Sequence, residues 1–444
     1  MAAPVQTLRG FRDYLPAEMM AKERMLHRVR HVFESFGYPP LQTPALEYGE
    51  LLAGKYGEEG EMLMYRFRDN GDRDVCMRYD LTVPLARVVG QYGQLPMPFR
   101  RYQIAPVWRA EKPAKGRYRE FMQCDVDLIG IDDVSADAEM VLIDMAVVAA
   151  QGIDAFKVRL NHRGVLRGIT RSLGLEDGEP EAAFLRWLDK LDKIGADKFQ
   201  SGVAQEFSFT DAQLQRLMEA VTPSGNPRET LATLQSQLSD DPDARAGLDR
   251  LSGIMDIVDA CEEGDRLVLD PSIARGLSYY DGVIYETFLD ELPQFGSVMS
   301  GGRYNGLVGA LCGRDLPAVG NSLGVDRLFA ALQELGLETS RTTPSDVLVV
   351  RFDAESAAQS TALAQRFRKG GINTEVYPTA AKLKKQFQFA NNAAIPFVVI
   401  QGSDERERGT VTLKDMAAGD QQELEVDRAV EWVRERGRQK GLEE

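Results

Sequence analysis

The 444-residue chain is poor in the two side chains that most often hold metals, with four cysteines and three histidines. Cys76, Cys124, Cys261 and Cys312 are scattered and form no CxxC pair. That spacing excludes a zinc ribbon or a disulfide framework and points to a reducing cytoplasm. No zinc or haem is expected. His27 and His31 stand at i,i+4, a spacing that can bind metal, but no third ligand is near them and two histidines on a helix flank is the plainer reading. No apolar run approaches the ~20 residues of a membrane-spanning helix. The first residues, MAAPVQTLRGFRDYLP, show neither an apolar signal core nor an Arg/Ser-rich leader, so no membrane or targeting role is expected. Positive charge is in deficit too, with 53 Lys+Arg against 68 Asp+Glu and a net charge of -15. A polybasic membrane binder or a histone-like coat is thereby excluded. A local basic groove is not, because phosphate contacts depend on where the cations sit.

What is present is a globular composition, 43% hydrophobic and 27% charged, long enough for two or three domains. Leu26, Val29, Phe33 and Phe36 recur at helical spacing, and Gly37 with Pro39 stops that helix. YRFRDNGDRDVCMRYDL predicts a hairpin turning at Asp69-Asn70-Gly71. Residues 165–262 read as a polar helical insertion, and strand-and-glycine texture returns after it. The segments 1–164 and 263–337 together suggest an α+β domain with a mixed, mainly antiparallel sheet. Residues 338–345 are a linker by composition, and 346–444 alternate short strands with helices, which predicts a small α/β domain.

Two stretches carry candidate chemistry. In FRRYQIAPVWRAEKPAKGRYREFMQCDVDLIG (99–130), Met122, Cys124, Val126 and Leu128 point one way, and Arg119, Phe121, Gln123, Asp125 and Asp127 the other. The second face is either a solvated exterior, the usual meaning of polar alternation, or the wall of a site that Arg109 and Glu111 also enter. The second stretch, ARGLSYYDGVIYE (274–286), sets an arginine, a glycine and two tyrosines before a strand. A Gly301-Gly302 pair in SGGRYNG is either a tight turn or a place where backbone approaches a ligand closely.

WRAE at 108–111 resembles the core of motif 2 of the class II aminoacyl-tRNA synthetases. PPLQTPALEY resembles motif 1, with Pro44 at the position that lies in the dimer interface, and GNSLGVDRLF resembles motif 3. ARGLSYYDGVIYE and GSVMSGGRYNGL are similar to the two signature peptides of the histidyl-tRNA synthetase family. MRYDLTVPLAR and LDKLDKIG look like its eukaryotic and archaeal branch, and DVLVVRF, GINTEVYP and KLKKQFQFAN like its anticodon-binding domain. The resemblance implies a class II catalytic core, a helical insertion and a C-terminal α/β anticodon-binding domain. It also implies a cytoplasmic homodimeric histidine–tRNA ligase acting on histidine, ATP with Mg²⁺, and tRNA(His).

Carried over residue by residue, the resemblance puts Arg109 and Arg327 on the ATP phosphates, with Arg117 also on the nucleotide. Glu111 would meet the adenine edge and Phe121 its face. Arg275 would lie against the α-phosphate and the histidine carboxylate, a placement that suits a reaction whose negative charge gathers at phosphorus. Asp80, Thr82 and Gln123 would hold the ammonium. Asp127 and Tyr280 would read the ring, with Tyr279, Gly301 and Gly302 completing the pocket. Lys112 and Lys115 would face the tRNA acceptor end, and Lys382, Lys384 and Lys385 an RNA backbone, although short cationic runs are usually just solvated. Two positions depart from the family: Ser278 stands for an aspartate in RGLDYY, a loss Asp281 is placed to offset, and Asn305 for one in GGRYDGL. The alternatives are a catalytically silent paralogue serving as a regulatory subunit of ATP phosphoribosyltransferase, or a sensing module for uncharged tRNA.

Overall fold

The structure is a computed structural model that describes residues 5–54, 57–113, 118–274, 279–338 and 341–439. The chain divides into two compact units, Met1–Arg12 with His27–Leu337, and Asp13–Leu26 with Glu338–Glu444. The predicted first helix runs Pro16–Ser35 and buries Leu26, Val29 and Phe33, while Phe36 falls just beyond its end.

In the first unit, β1 (Leu46–Tyr48), β2 (Arg66–Arg68) and β3 (Asp74–Met77) form a small antiparallel sheet. The predicted hairpin joins β2 and β3, but the left-handed residue is Asp72 (φ 57°), not Gly71. The Asp69 carboxylate accepts from the amides of Gly71 and Arg73, both at 2.9 Å, and so closes a five-residue loop around itself.

The main sheet contains β4 (Phe99–Trp108), β5 (Glu120–Ile129), β6 (Phe156–His162), β7 (Leu267–Leu269), β8 (Val283–Leu289), β9 (Met299–Arg303) and β10 (Ala318–Gly324). Its order is β4-β5-β10-β9-β8-β6-β7, with β6–β7 the parallel pair and the other pairings antiparallel. Pro106 lies inside β4 because β4 is the edge strand, where a missing donor costs little. Helix Val134–Ala149 packs beneath β10 and buries Asp137 and Asp144. Asp144 accepts from Thr287 at 3.0 Å and from the Asn321 amide at 2.5 Å, and burial holds its carboxyl well above the usual range.

Between β6 and β7 the chain is helical from Arg163–Ser172 to Pro242–Ala260. The last of these helices is tied to the sheet through Asp137, which takes Arg303 at 2.8 Å and Arg250 at 2.5 Å. Among the described residues no helix is long and apolar enough to cross a membrane.

The second unit has its own core, in which Val347, Leu363, Phe367, Phe397, Val411 and Val433 are all buried. Strands β11 (Val347–Val349), β12 (Thr374–Val376) and β13 (Phe397–Ile400) are parallel, and β14 (Thr410–Asp415) and β15 (Gln421–Glu425) extend the sheet antiparallel. Strand β15, QQELE, is too polar to announce itself in sequence. Arg341 bonds Asp346 at 3.1 Å and Thr342 bonds the Ala393 carbonyl at 3.3 Å, so the linker-like segment is fastened to this unit.

Candidate functional site

The hairpin of β4 and β5 sets the site's geometry. Its register places Arg101 opposite Asp127, Gln103 opposite Asp125 and Ala105 opposite Gln123. Asp125 and Asp127 are 2% and 3% exposed, so the polar face of β5 is no solvated exterior. It forms the wall of two adjoining cavities. Arg109, Gln123, Ser300 and Ser322 line both.

The first cavity, of about 310 Å³, is also lined by Glu111, Phe121 and Arg327. Arg109 is held by the Tyr79 carbonyl at 3.1 Å, with its guanidinium 4.4 Å from the Tyr79 ring and 5.1 Å from the Phe121 ring. A planar cation stacked this way is fixed in orientation before any ligand arrives. Arg327 donates to the carbonyl of Ser297, which also lines the cavity. Phe121 packs on Leu81, Ala105 and Val107 and lines the cavity.

The second cavity, of about 340 Å³, is lined by Asp80, Thr82, Asp125, Asp127, Tyr279 and Tyr280, together with Gly301. Asp80 accepts from the Val83 amide at 3.1 Å, and Thr82 opens helix Thr82–Gln91. Gln123 donates to Ser322 at 3.3 Å, and among the described residues its buried carbonyl oxygen has no hydrogen-bond partner. Asp127 is held from two sides: Tyr304 donates to Oδ1, and Arg101 Nη2 lies 2.7 Å from Oδ2. Ser322 donates to Asp125 at 2.6 Å. Burial pushes the Asp125 carboxyl up to about 7, with Arg101 opposing the shift and Asp127 adding to it. Asp127 shifts in the same direction for the same reason, again opposed by Arg101. The phenols of Tyr279, Tyr280 and Tyr304 are raised by burial as well, so all three remain protonated hydrogen-bonding groups.

Gly301 and Gly302 lie within β9 and form no turn. A Cβ on Gly301 would stand 2.2 Å from the Gly320 carbonyl, and one on Gly302 would stand 2.5 Å from the Val283 carbonyl and 2.9 Å from the Tyr280 ring. Close approach of backbone is therefore what these glycines permit. Ser278, whose missing aspartate Asp281 is expected to offset, lies outside the described residues. The Asp281 carboxylate itself accepts from the amides of Asn305 (3.2 Å) and Gly306 (2.9 Å) at the start of helix Asn305–Cys312. Asn305 itself uses its oxygen to accept from Ala318 at 2.9 Å and Arg303 at 3.3 Å, a task either an amide or a carboxylate performs.

Arg275, Ser278, Lys115 and Arg117 lie outside the described residues. Lys112 is exposed beside the first cavity's hairpin, and Lys382, Lys384 and Lys385 are exposed at and after the start of helix Leu383–Asn392 in the second unit. His27 and His31 are both exposed, and among the described residues no cluster of three or more His, Cys, Asp or Glu could hold a metal ion. Sequence reasoning missed Arg101, Tyr304 and Ser322 as partners of the two aspartates.

A mainly antiparallel sheet whose β4–β5 hairpin walls two joined cavities, with a separate small α/β unit, has the class II synthetase architecture with an anticodon-binding domain. Residues 10–328 match the family model described as histidyl-tRNA synthetase, and residues 346–436 match an anticodon binding domain. A histidine–tRNA ligase of Rhodopirellula baltica is 45% identical over 94% of this chain and 95% of that protein. One of Aeropyrum pernix is 41% identical over 96% and 97%. The crystal structure of histidyl-tRNA synthetase from a Nostoc species superposes with a TM-score of 0.89 at 32% identity, covering 98% of this chain and 100% of that one. The chain belongs to the histidyl-tRNA synthetase family.

Proposed function

We propose that the chain is a histidine–tRNA ligase whose first cavity takes ATP and whose second takes histidine. The observation that carries this reading is the shared wall of Arg109, Gln123, Ser300 and Ser322, where an amino-acid carboxylate and a nucleotide phosphate would meet at one guanidinium. There the carboxylate oxygen attacks the α-phosphorus and pyrophosphate leaves. Cations fixed in advance by stacking and carbonyl contacts stabilise the charge that gathers at phosphorus. Arg109 and Arg327 would serve the phosphates, Glu111 and Phe121 the adenine, and Asp80, Thr82 and Gln123 the ammonium. Asp127 and Tyr280 would hold the ring, with Tyr279 behind them. Magnesium enters with ATP as part of the substrate. The adenylate is then attacked by a hydroxyl of the terminal ribose of tRNA(His), with AMP leaving, and the second unit would bind the anticodon end.

The homodimer is supported by an apolar groove of about 850 Å³ that includes Pro44, Leu46, Tyr48 and Tyr92. Leu46, Tyr48 and Tyr92 are 43%, 57% and 54% exposed, a patch that a second copy would cover. A cytoplasmic location fits a tRNA-charging enzyme. Charging of unfractionated tRNA with labelled histidine, against the other amino acids, tests the reading. Esterification with histidine alone supports it, and absence of charging by the folded protein overturns it in favour of the regulatory paralogue.

A further inference from the structure

The second cavity holds a carboxylate that the family resemblance did not assign. Asp125 stands between Gln123 and Asp127 on the same face of β5, one pleat repeat from each, and is 2% exposed. The groups that face it are Asp127 from its own strand, Ser322 from β10, Arg101 from β4, and Asp80, Tyr279 and Tyr280 around the cavity, whose lining also includes Arg109 and Glu286. Arg101 is the guanidinium beside the pair, and it lies at ion-pair distance from Asp127. Among the described residues Asp125 has no ion-pair partner, and Asp127 Oδ2 has no donor with hydrogen-bond geometry. Asp80, Asp125, Asp127 and Glu286 line the cavity against the guanidiniums of Arg109 and, beside Asp127, Arg101, an excess of carboxylate that favours a further cation.

Histidine's ring can be that cation. A neutral imidazole has one N–H and can satisfy only one carboxylate, whereas the imidazolium has two donors. Hydrogen bonds of ~2.8 Å on either side of an imidazolium set their acceptors roughly 7 Å apart. The Cα atoms of alternate residues on one strand face stand ~6.6 Å apart, a repeat of the same size as that separation. We infer that histidine is held with its ring protonated between Asp125 and Asp127, so that binding above neutral pH takes up a proton. The inference rests on the second cavity being the histidine site.

Its sign follows from counting protons. At pH 8 the free ring, titrating near ~6.5, is neutral and the aspartates are ionised, so the complex holds one proton more than its parts. Affinity then falls up to about tenfold for each pH unit above neutrality. Near pH 6 both Asp125, raised toward 7, and the free ring already carry protons, so uptake gives way to release.

Calorimetric titration of the full chain with histidine, in two buffers of different ionisation enthalpy, reads this directly. The expected result is uptake approaching one proton at pH 8 and net release at pH 6. 2-Fluorohistidine, whose fluorine keeps the ring unprotonated at neutral pH, should bind at least ~10-fold more weakly, the scale of a lost charge-assisted hydrogen bond. Asp125→Asn should abolish the uptake and narrow that preference. Histidine binding without uptake at pH 8 in the unaltered protein overturns the inference and leaves histidine activation standing. Equal losses for histidine and its fluoro analogue in Asp125→Asn would assign Asp125 to the ammonium and overturn it too. Failure of histidine to bind at all would remove the parent reading, and this one with it.

Discussion

Replacing Asp127 by Asn keeps the side chain's size and leaves an oxygen for the Tyr304 hydroxyl, but removes the charge opposite Arg101. That guanidinium is 0% exposed, and its other described contact is a 3.2 Å hydrogen bond to the Leu81 carbonyl. Breaking a buried pair from one side costs about 3–5 kcal/mol, a large part of the roughly 5–15 kcal/mol that holds a protein folded. Removing both members of the pair returns the cluster to the net charge of the unaltered protein, so Arg101→Met combined with Asp127→Asn should recover most of that loss. Recognition of the ring should not return. An amide cannot match a carboxylate facing an N–H, and we expect kcat/KM for histidine to stay down at least ~10²-fold, about 2.7 kcal/mol, in both variants. The KM for ATP should change little, since Arg109, Glu111, Phe121 and Arg327 line the other cavity. Urea unfolding followed by tryptophan fluorescence gives the stability, and ATP–pyrophosphate exchange at varied histidine gives the function. If the double variant regains stability and histidine activation together, Asp127 is a structural partner of Arg101 and no reader of the ring.

Four further outcomes are expected. Arg109→Ala should keep the fold and slow adenylate formation by about 10²–10³-fold, the scale for one lost transition-state donor; single-turnover rates within a few-fold of the unaltered protein would refute its role. Arg275→Ala should show a loss of the same size on the same assay, from its place in ARGLSYY. Gly301→Ala places a methyl 2.2 Å from the Gly320 carbonyl, so β9 and β10 must part; a loss of at least about 1–3 kcal/mol in urea unfolding is expected, and a neutral result would show that the strands yield freely. A chain ending near residue 337 should retain histidine-dependent exchange but charge tRNA poorly. It should also be less stable, because Asp13–Leu26 groups with the removed unit. Full charging by that fragment would refute the division of labour.

Alternation along β5 showed which residues share a face, but the sequence left open whether that face meets water. The answer lies in long-range partners: β10 covers β5 on its second edge, and Ser322 meets Asp125 across 197 residues of chain. Arg101 was within reach of a sequence argument, since the two strands pair as a hairpin with Arg101 opposite Asp127. The eleven residues between the strands leave that register undetermined, and a shift of one residue would have turned Arg101 to the other face. Tyr304 gave no local sign at all, because it sits where β9 ends and helix Asn305–Cys312 begins and reaches Asp127 only through the folded sheet. The Gly-Gly pair was ambiguous for a related reason. A turn and a crowded strand ask for the same residue, and only the neighbouring carbonyls distinguish them.

The most direct test of the central claim is amino-acid-dependent ATP–pyrophosphate exchange on the purified full-length chain, run with each amino acid in turn. Two cavities joined at Arg109, one of them lined by Asp125, Asp127, Tyr279 and Tyr280, predict exchange with histidine and background rates with the rest. A folded protein that binds histidine yet shows no histidine-dependent exchange would contradict the account.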